Sequence, residues 1–225
     1  MFKKNQFNKK QIMEIITIEA GPFATNCYLI AEESNPECLL IDAPPDSKEQ
    51  IIEIIQEKKL FIVGIVLTHS HWDHTMDAGE LRKFTNAPIY VHKDDEYRLL
   101  NPGENSLIFP PYELEILQPD QYLVNKDKLI FNSSELEVRH TPGHTEGSVC
   151  LICHTDKIIF SGDTLFYRSV GRTDFPGGSW ETLLESLDNQ LMTLEDSYKV
   201  YPGHGIITTI GDERKYNTFI NRNFI

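Results

Sequence analysis

Val66-Leu-Thr-His-Ser-His-Trp-Asp-His74 decides how this chain reads. It closes Phe61–Leu67, a nearly continuous apolar run of the kind that forms a strand buried on both faces. The run stops abruptly at His69, His71, Asp73 and His74. His69 and His71 share a face while the backbone stays extended, and Asp73 and His74 lie past the bend. One short loop can therefore feed two metal ions. Three later segments end in the same way, with an apolar strand running into a turn that holds a ligand-type residue: Val138-Arg-His-Thr-Pro-Gly-His144, Ile158-Ile-Phe-Ser-Gly-Asp163 and Val200-Tyr-Pro-Gly-His204. Strand ends along one edge of packed sheets can bring such residues together on a rigid scaffold.

Imidazole and carboxylate together suit zinc and other borderline divalent metals, and a catalytic ion takes about three protein ligands plus water. His69, His71, Asp73, His74, His144, Asp163 and His204 are too many for one ion and fit two ions with a shared group. A carboxylate can bridge with its two oxygens, and Asp163, alone between a glycine and a threonine, is the natural bridge. Zinc is the expected metal, and iron or manganese fits the same donors.

Working outward, the pattern before this loop is β. The strand candidates are Ile15–Ile18, Cys27–Ala31 and Cys38–Ile41, the last ending at Asp42 before two prolines. A helical stripe of isoleucines spans Ser47 to Lys59, with Ser47 as N-cap. After the loop come a helix from about Met76 to Phe84, a short strand Pro88–His92 and a long Pro- and Asn-rich loop Asn101–Pro119. The second half has strand candidates Lys128–Phe131, Leu136–His140, Ser148–Cys153, Lys157–Phe160 and Tyr198–Tyr201. A helix from Ser179 to Met192 carries Ser179 as N-cap, and a last helix starts near Asp212. The order predicts an α/β chain of two sheets packed face to face with helices outside. Residues 1–12 read as a flexible tail, Met13 as an alternative start, and residues 13–225 as a single domain.

The 225 residues carry a net charge of −13. Phosphate recognition relies on clustered Lys and Arg, so nucleic acid is an unexpected partner and a small molecule the expected one. There is no apolar run of the roughly 18 residues a membrane span needs. Without a secretory signal, a reduced cytoplasmic protein is the default. Cys150 and Cys153 have CxxC spacing but fall in a strand, where positions i and i+3 face opposite ways, so both read as core cysteines. Of the remaining histidines, His154 reads as exposed, His140 as a structural hydrogen-bonder and His92 as the end of a short strand. Trp72 and Trp180 read as packing residues.

Thr68-His-Ser-His-Trp-Asp-His74, Thr141-Pro-Gly-His144, Ser161-Gly-Asp-Thr164 and Pro202-Gly-His204 resemble, in order, the ligand motifs of the metallo-β-lactamase superfamily. The resemblance implies an αββα sandwich, one ion on His69, His71 and His144, a second on Asp73, His74 and His204, and Asp163 between them. Gly171-Arg-Thr-Asp-Phe-Pro-Gly-Gly178 and Thr208–Arg214 are similar to compact glyoxalase II-type (hydroxyacylglutathione) hydrolases, which cleave the thioester S-lactoylglutathione. Arg172 falls where that family places a basic residue for a glutathione carboxylate. Gly205 and Ile206 stand where it often carries a tyrosine.

The expected reaction is thioester hydrolysis by a metal-bridging hydroxide that Asp73 orients. A thiol with a pKa near 8.5 leaves without a general acid, and no strongly marked acid is present beyond the ligands. The rival readings are a mononuclear iron persulfide dioxygenase, which shares the ligand run and the Gly171–Phe175 segment; a lactonase or β-lactamase; a nuclease of the same superfamily; and a non-enzymatic module that uses the metals structurally.

Overall fold

The structure is a computed structural model that describes residues 13–33, 35–102 and 113–221. The tail 1–12 lies outside the described residues, as does most of the loop expected at 101–119.

The first sheet contains β1 (Met13–Ala20), β2 (Thr25–Glu32), β3 (Asn35–Ile41), β4 (Phe61–Val66), β5 (Ile89–His92) and β6 (Gln121–Leu123), side by side in chain order. β1 to β3 are antiparallel, and pairing is parallel from β3 onward. The second sheet has β7 (Lys128–Phe131), β8 (Ser134–His140), β9 (Val149–Cys153) and β10 (Ile158–Gly162). It is extended beyond β10 by β13 (Lys199–Pro202) and β14 (Thr208–Thr209). A small hairpin, β11 (Leu165–Phe166) with β12 (Ser169–Val170), follows β10.

Alternation of side chains along these strands produces three apolar layers. Between the sheets lie Tyr28, Ile30, Ile41 and Val66 from the first and Val138, Leu151, Cys153 and Phe160 from the second. Each such large side chain contributes about 1.5–3 kcal/mol on burial. Outside the first sheet, Leu29, Leu40, Ile65 and Leu67 pack with α1 (Lys48–Lys58) and α3 (Ala78–Thr85) through Ile51, Ile55 and Leu81. Outside the second, Cys150, Ile152, Ile159 and Val200 pack with α5 (Trp180–Ser186) and α6 (Ile210–Tyr216) through Leu183 and Ile210. This is the αββα sandwich. Cys150 and Cys153 do face opposite layers, and all four cysteines are buried and free.

Some details differ from expectation. β4 is not buried on both faces throughout: Phe61 and Val63 are exposed. β5 pairs with it at Ile65 and Val66, so among the described residues one flank of its first half has no neighbouring strand. The helix expected from about Met76 to Phe84 is α3, and an additional turn, α2 (Trp72–Thr75), forms within the ligand loop before it. Ser47 precedes α1 without a side-chain cap; its hydroxyl donates to Pro44 O, while Asp77 Oδ2 accepts from the backbone N–H of Ser47 and Lys48 at 2.9 and 2.8 Å. The carboxylate across the loop is the stronger acceptor at a helix N-terminus. Ser179 does cap α5, accepting from Thr182 N–H. The expected helix to Met192 turns into a π segment at Leu187–Leu191. α4 (Glu96–Leu100), β6, β11, β12 and β14 are too short to leave a periodic signal.

Candidate metal centre

The ends of β4, β8, β10 and β13 come together along one edge of the sandwich. Two backbone links tie the sheets there: Val149 N–H donates to Thr68 O at 2.9 Å, and Asn26 N–H donates to Gly203 O at 2.7 Å. All seven residues picked out by pattern meet at this edge. Donor atoms of His69, His71 and His144 lie within 4.8 Å of one another, as do those of Asp73, His74 and His204. Asp163 reaches both groups: Oδ2 is 3.5 Å from His144 Nε2 and 3.5 Å from His204 Nε2, and Oδ1 is 3.3 Å from His74 Nε2. The bend after β4 is α2 itself, which carries Asp73 and His74, with His71 as its extended N-cap.

The hydrogen bonds behind the imidazoles decide what faces forward. His74 Nδ1 donates to Asp42 Oδ2 at 2.8 Å, His144 Nδ1 to Arg172 O at 2.7 Å and His204 Nδ1 to Phe23 O at 3.1 Å. Thr68 Oγ1 donates to Asp42 Oδ2 and so accepts from His69 Nδ1 at 3.1 Å. In the neutral rings each of these four Nε2 atoms presents a lone pair to the centre. His71 enters the other way round, with Nδ1 2.9 Å from His144 Nε2. His74 Nε2 and His204 Nε2 face each other at 3.2 Å. With both Nδ1 atoms donating backward, the His74 and His204 lone pairs repel unless a proton or a metal ion lies between them, whereas His71 Nδ1 can meet His144 Nε2 as a donor or as a second lone pair. His69 Nε2 and Asp163 Oδ1 are buried with no hydrogen-bond partner among the described residues, a costly arrangement without a ligand. The donor set therefore fits divalent metal ions.

Titration in the metal-free protein follows from the same geometry. Burial, together with His74, holds His69 well below its ordinary value, and burial together with His144 takes His71 down to about 3. Burial opposes charge on His74 too, but Asp163, Asp42 and Asp73 outweigh it and raise that ring. His204 rises to about 9, burial being overcome by hydrogen bonds to Asp163 and Asp73. Asp163 resists its own burial through His74 and His204 and is held well below the carboxylate range.

Close packing fixes these positions. A Cβ on Gly203 would fall 2.2 Å from Asp163 Oδ1 and 2.7 Å from His74 Cε1. Gly143, at φ +133°, lets α5 pack on the turn before His144; a Cβ there would fall 2.3 Å from Leu183 N.

The centre opens into a cavity of about 400 Å³ walled largely by apolar side chains, among them Phe23, Trp72, Met76, Leu99, Phe166 and Phe175. Arg172 lines it too. Its guanidinium donates twice to Asp174 at 2.8 Å and lies 3.8 Å over the Phe175 ring. Trp72 packs on Phe23, 5.3 Å between centroids.

Pattern reading overlooked Asp42, although it ends an apolar strand as Asp163 does. It also overlooked Arg98, a buried pocket-lining cation on α4. His140 is a structural hydrogen-bonder: its Nε2 donates to Glu146 O at 2.8 Å. It stacks on His92 at 3.9 Å and 11°. Asp94 lies close enough to make a third donor, but parallel rings keep both lone pairs in separate planes, an arrangement for packing. His154 is exposed and bonded to Tyr198 and Glu137.

Fold and donor set define a metallo-hydrolase architecture, and the sequence pattern of the metallo-β-lactamase superfamily matches residues 20–204. The chain belongs to that superfamily. Among relatives, hydroxyacylglutathione hydrolase GloC of Haemophilus influenzae is 34% identical, over 93% of this chain and 98% of its own. Among solved structures, the BLEG-1 B3 metallo-β-lactamase superposes with a TM-score of 0.85 at 34% identity, covering 92% of this chain and 99% of its own. TTHA1623 in a di-iron-bound form gives 0.73 at 31% identity, covering 91% and 99%. Among the described residues no helix is long and apolar enough to cross a membrane.

Proposed function

We propose that this protein is a thioester hydrolase of the hydroxyacylglutathione hydrolase type that works with two divalent metal ions. The observation that carries the reading is the set of unpartnered and mutually facing donor atoms at the mouth of an apolar cavity. His69, His71 and His144 would hold one ion, Asp73, His74 and His204 the other, and Asp163 both. When bound, the ions supply Lewis acidity that ionises water near neutral pH and polarises a carbonyl. Zinc suits the donors, and the di-iron form of a similar fold makes iron the other choice.

The protein's own residues then have distinct tasks. The backbone carbonyls of Arg172 and Phe23 and the carboxylate of Asp42 hold the ligand rings in the tautomer that leaves Nε2 free. Asp73 Oδ2, 3.4 Å from His204 Nε2 and 3.4 Å from Thr25 Oγ1, would orient the nucleophilic water. Phe23, Trp72, Phe166 and Phe175 exclude bulk water. Outside the candidate ligands, the described carboxylate lining the cavity is Glu115, and Lys83 pairs with it at 3.0 Å. A leaving group that departs unprotonated, such as a thiolate, suits that wall. Arg172 sits at the rim, where it can exchange Asp174 for a substrate carboxylate.

A second reading, hydrolysis of a β-lactam amide, draws on the likeness to BLEG-1. Anaerobic assays of zinc-loaded protein against S-lactoylglutathione and a chromogenic β-lactam separate the two. Thioester turnover is expected, with Arg172→Ala raising KM more than it lowers kcat. Turnover of the β-lactam alone would put the second reading first. Oxygen uptake with glutathione persulfide and no anaerobic hydrolysis would point to a mononuclear iron dioxygenase instead.

A further inference from the structure

We infer that Asp95 is the positioning residue of the first metal group, the counterpart of Asp42 at the second. The inference rests on the two-metal reading above. Asp95 ends the single helical turn between β5 and α4 and is fully buried. Its carboxylate accepts five hydrogen bonds. Oδ2 takes Ser70 N–H at 2.8 Å, Ser70 Oγ–H at 2.8 Å and Thr145 Oγ1–H at 2.9 Å. Oδ1 takes Gly147 N–H at 2.7 Å and Arg98 Nη1–H at 3.1 Å.

The identity of the donors gives the carboxylate its role. Ser70 lies between His69 and His71, in the loop leaving the first sheet. Thr145 follows His144, in the loop leaving the second sheet. One carboxylate therefore joins the two segments that must meet for His69, His71 and His144 to share an ion. Asp42 orients His74 of the other group directly, and through Thr68, whose N–H and Oγ1–H it accepts, it also stands behind His69. None of the five donors to Asp95 belongs to Asp73, His74 or His204, and the second group is reached only through His71, which caps α2, so the larger effect falls on the first ion. Gly147 keeps the approach open, since a Cβ there would fall 2.7 Å from Asp95 Oδ1.

Asparagine has the same shape but cannot do the task. Both ends of the carboxylate receive backbone N–H groups, and whichever end becomes an amide NH2 meets a donor with a donor. Asp95→Asn must then move either the Ser70 loop or the Gly147 loop. Displaced supports of metal ligands typically cost 10–100-fold in affinity.

The test is chelator competition on cobalt-loaded protein, followed by its visible absorbance, with His204→Ala used to assign the release step of the second group. In Asp95→Asn the ion on His69, His71 and His144 should be released about 10–100-fold more readily, with the step of the Asp73, His74 and His204 group shifted clearly less. Thr145→Val, which removes one strut and keeps the bulk, should shift the same step less and decides the matter if Asp95→Asn does not fold. Melting of the metal-free variants separates general destabilisation from the selective effect. Equal shifts of both steps, or no shift of the first, would overturn the proposal. A single release step in the wild type would instead refute the two-metal reading; whether Asp95→Asn weakens that step would still decide the role of Asp95.

Discussion

On the proposed two-metal reading, replacing Asp42 by asparagine should damage the second metal group through a proton on the wrong nitrogen. Asp42 is 2% exposed and sits at φ +60°, a conformation asparagine tolerates. Backbone strain is thereby kept out of the comparison. Oδ1 accepts Thr68 N–H at 2.8 Å, and Oδ2 accepts Thr68 Oγ1–H and His74 Nδ1–H, each at 2.8 Å. An amide whose oxygen stays with Thr68 N–H turns its NH2 toward His74 Nδ1. The imidazole can then accept there only by carrying its proton on Nε2, the atom that faces the metal. Hydrogen bonds to a charged acceptor contribute about 1.5–3 kcal/mol each, and two of the three are lost or inverted. With partial relaxation, a stability loss of roughly 2–4 kcal/mol is expected, or about 4–16 °C in Tm for a chain of this size. Affinity for the ion on Asp73, His74 and His204 should fall about 10–100-fold. Calorimetric melting of the metal-free protein and zinc titration against a chromogenic chelator read the two effects separately. Unchanged zinc affinity in a folded Asp42→Asn protein would refute the tautomer argument, whatever the melting curve does.

Gly203→Ala should cost more in metal binding than any single ligand truncation except that of Asp163, because its methyl would fall between Asp163 and His74; zinc stoichiometry near that of wild type would count against the packing described. In the metal-free protein His204 is raised from 6.5 to about 9, so its stabilising charge is full below about 6.5 and is lost as pH climbs through 9. His71, lowered to about 3, acts in the opposite sense: the unfolded chain takes up its proton first, and stability falls as pH drops from 6.5 toward 3. The Tm of metal-free protein should therefore peak near pH 6.5, and zinc, which competes with protons at Nε2, should flatten the alkaline arm. A Tm that rises from pH 7 to 9 without metal would contradict this.

The parts of the fold legible in the sequence are those where a long apolar run leaves a period and a glycine or proline ends it. β2, β3, β4, β9 and β10 stand out because both faces are buried over much of their length, and the seven candidate ligands stand out because they fall just past the ends of four strands. What escaped notice lacked either signal. α4 has five residues and β14 two, and their places depend on neighbours distant in sequence. Ser47 illustrates a subtler failure: its position before α1 was correct, but the acceptor that caps the helix comes from Asp77, and no local pattern records a partner thirty residues away.

The same limit separates the candidate ligands from the residues that orient them. A ligand histidine is conspicuous because imidazole is rare and clusters, whereas its orienter can be any buried acceptor. Here the orienters are chemically unlike: the carboxylate of Asp42, the hydroxyl of Thr68, and the backbone carbonyls of Phe23 and Arg172. Two of the four are main-chain atoms that carry no residue identity at all. Arg172 acts at two levels: its side chain lines the cavity and its carbonyl sets the tautomer of His144. Arg172→Ala removes the first and keeps the second. Any change in that loop's path, rather than in its side chains, should therefore reach the metal centre before it reaches substrate binding.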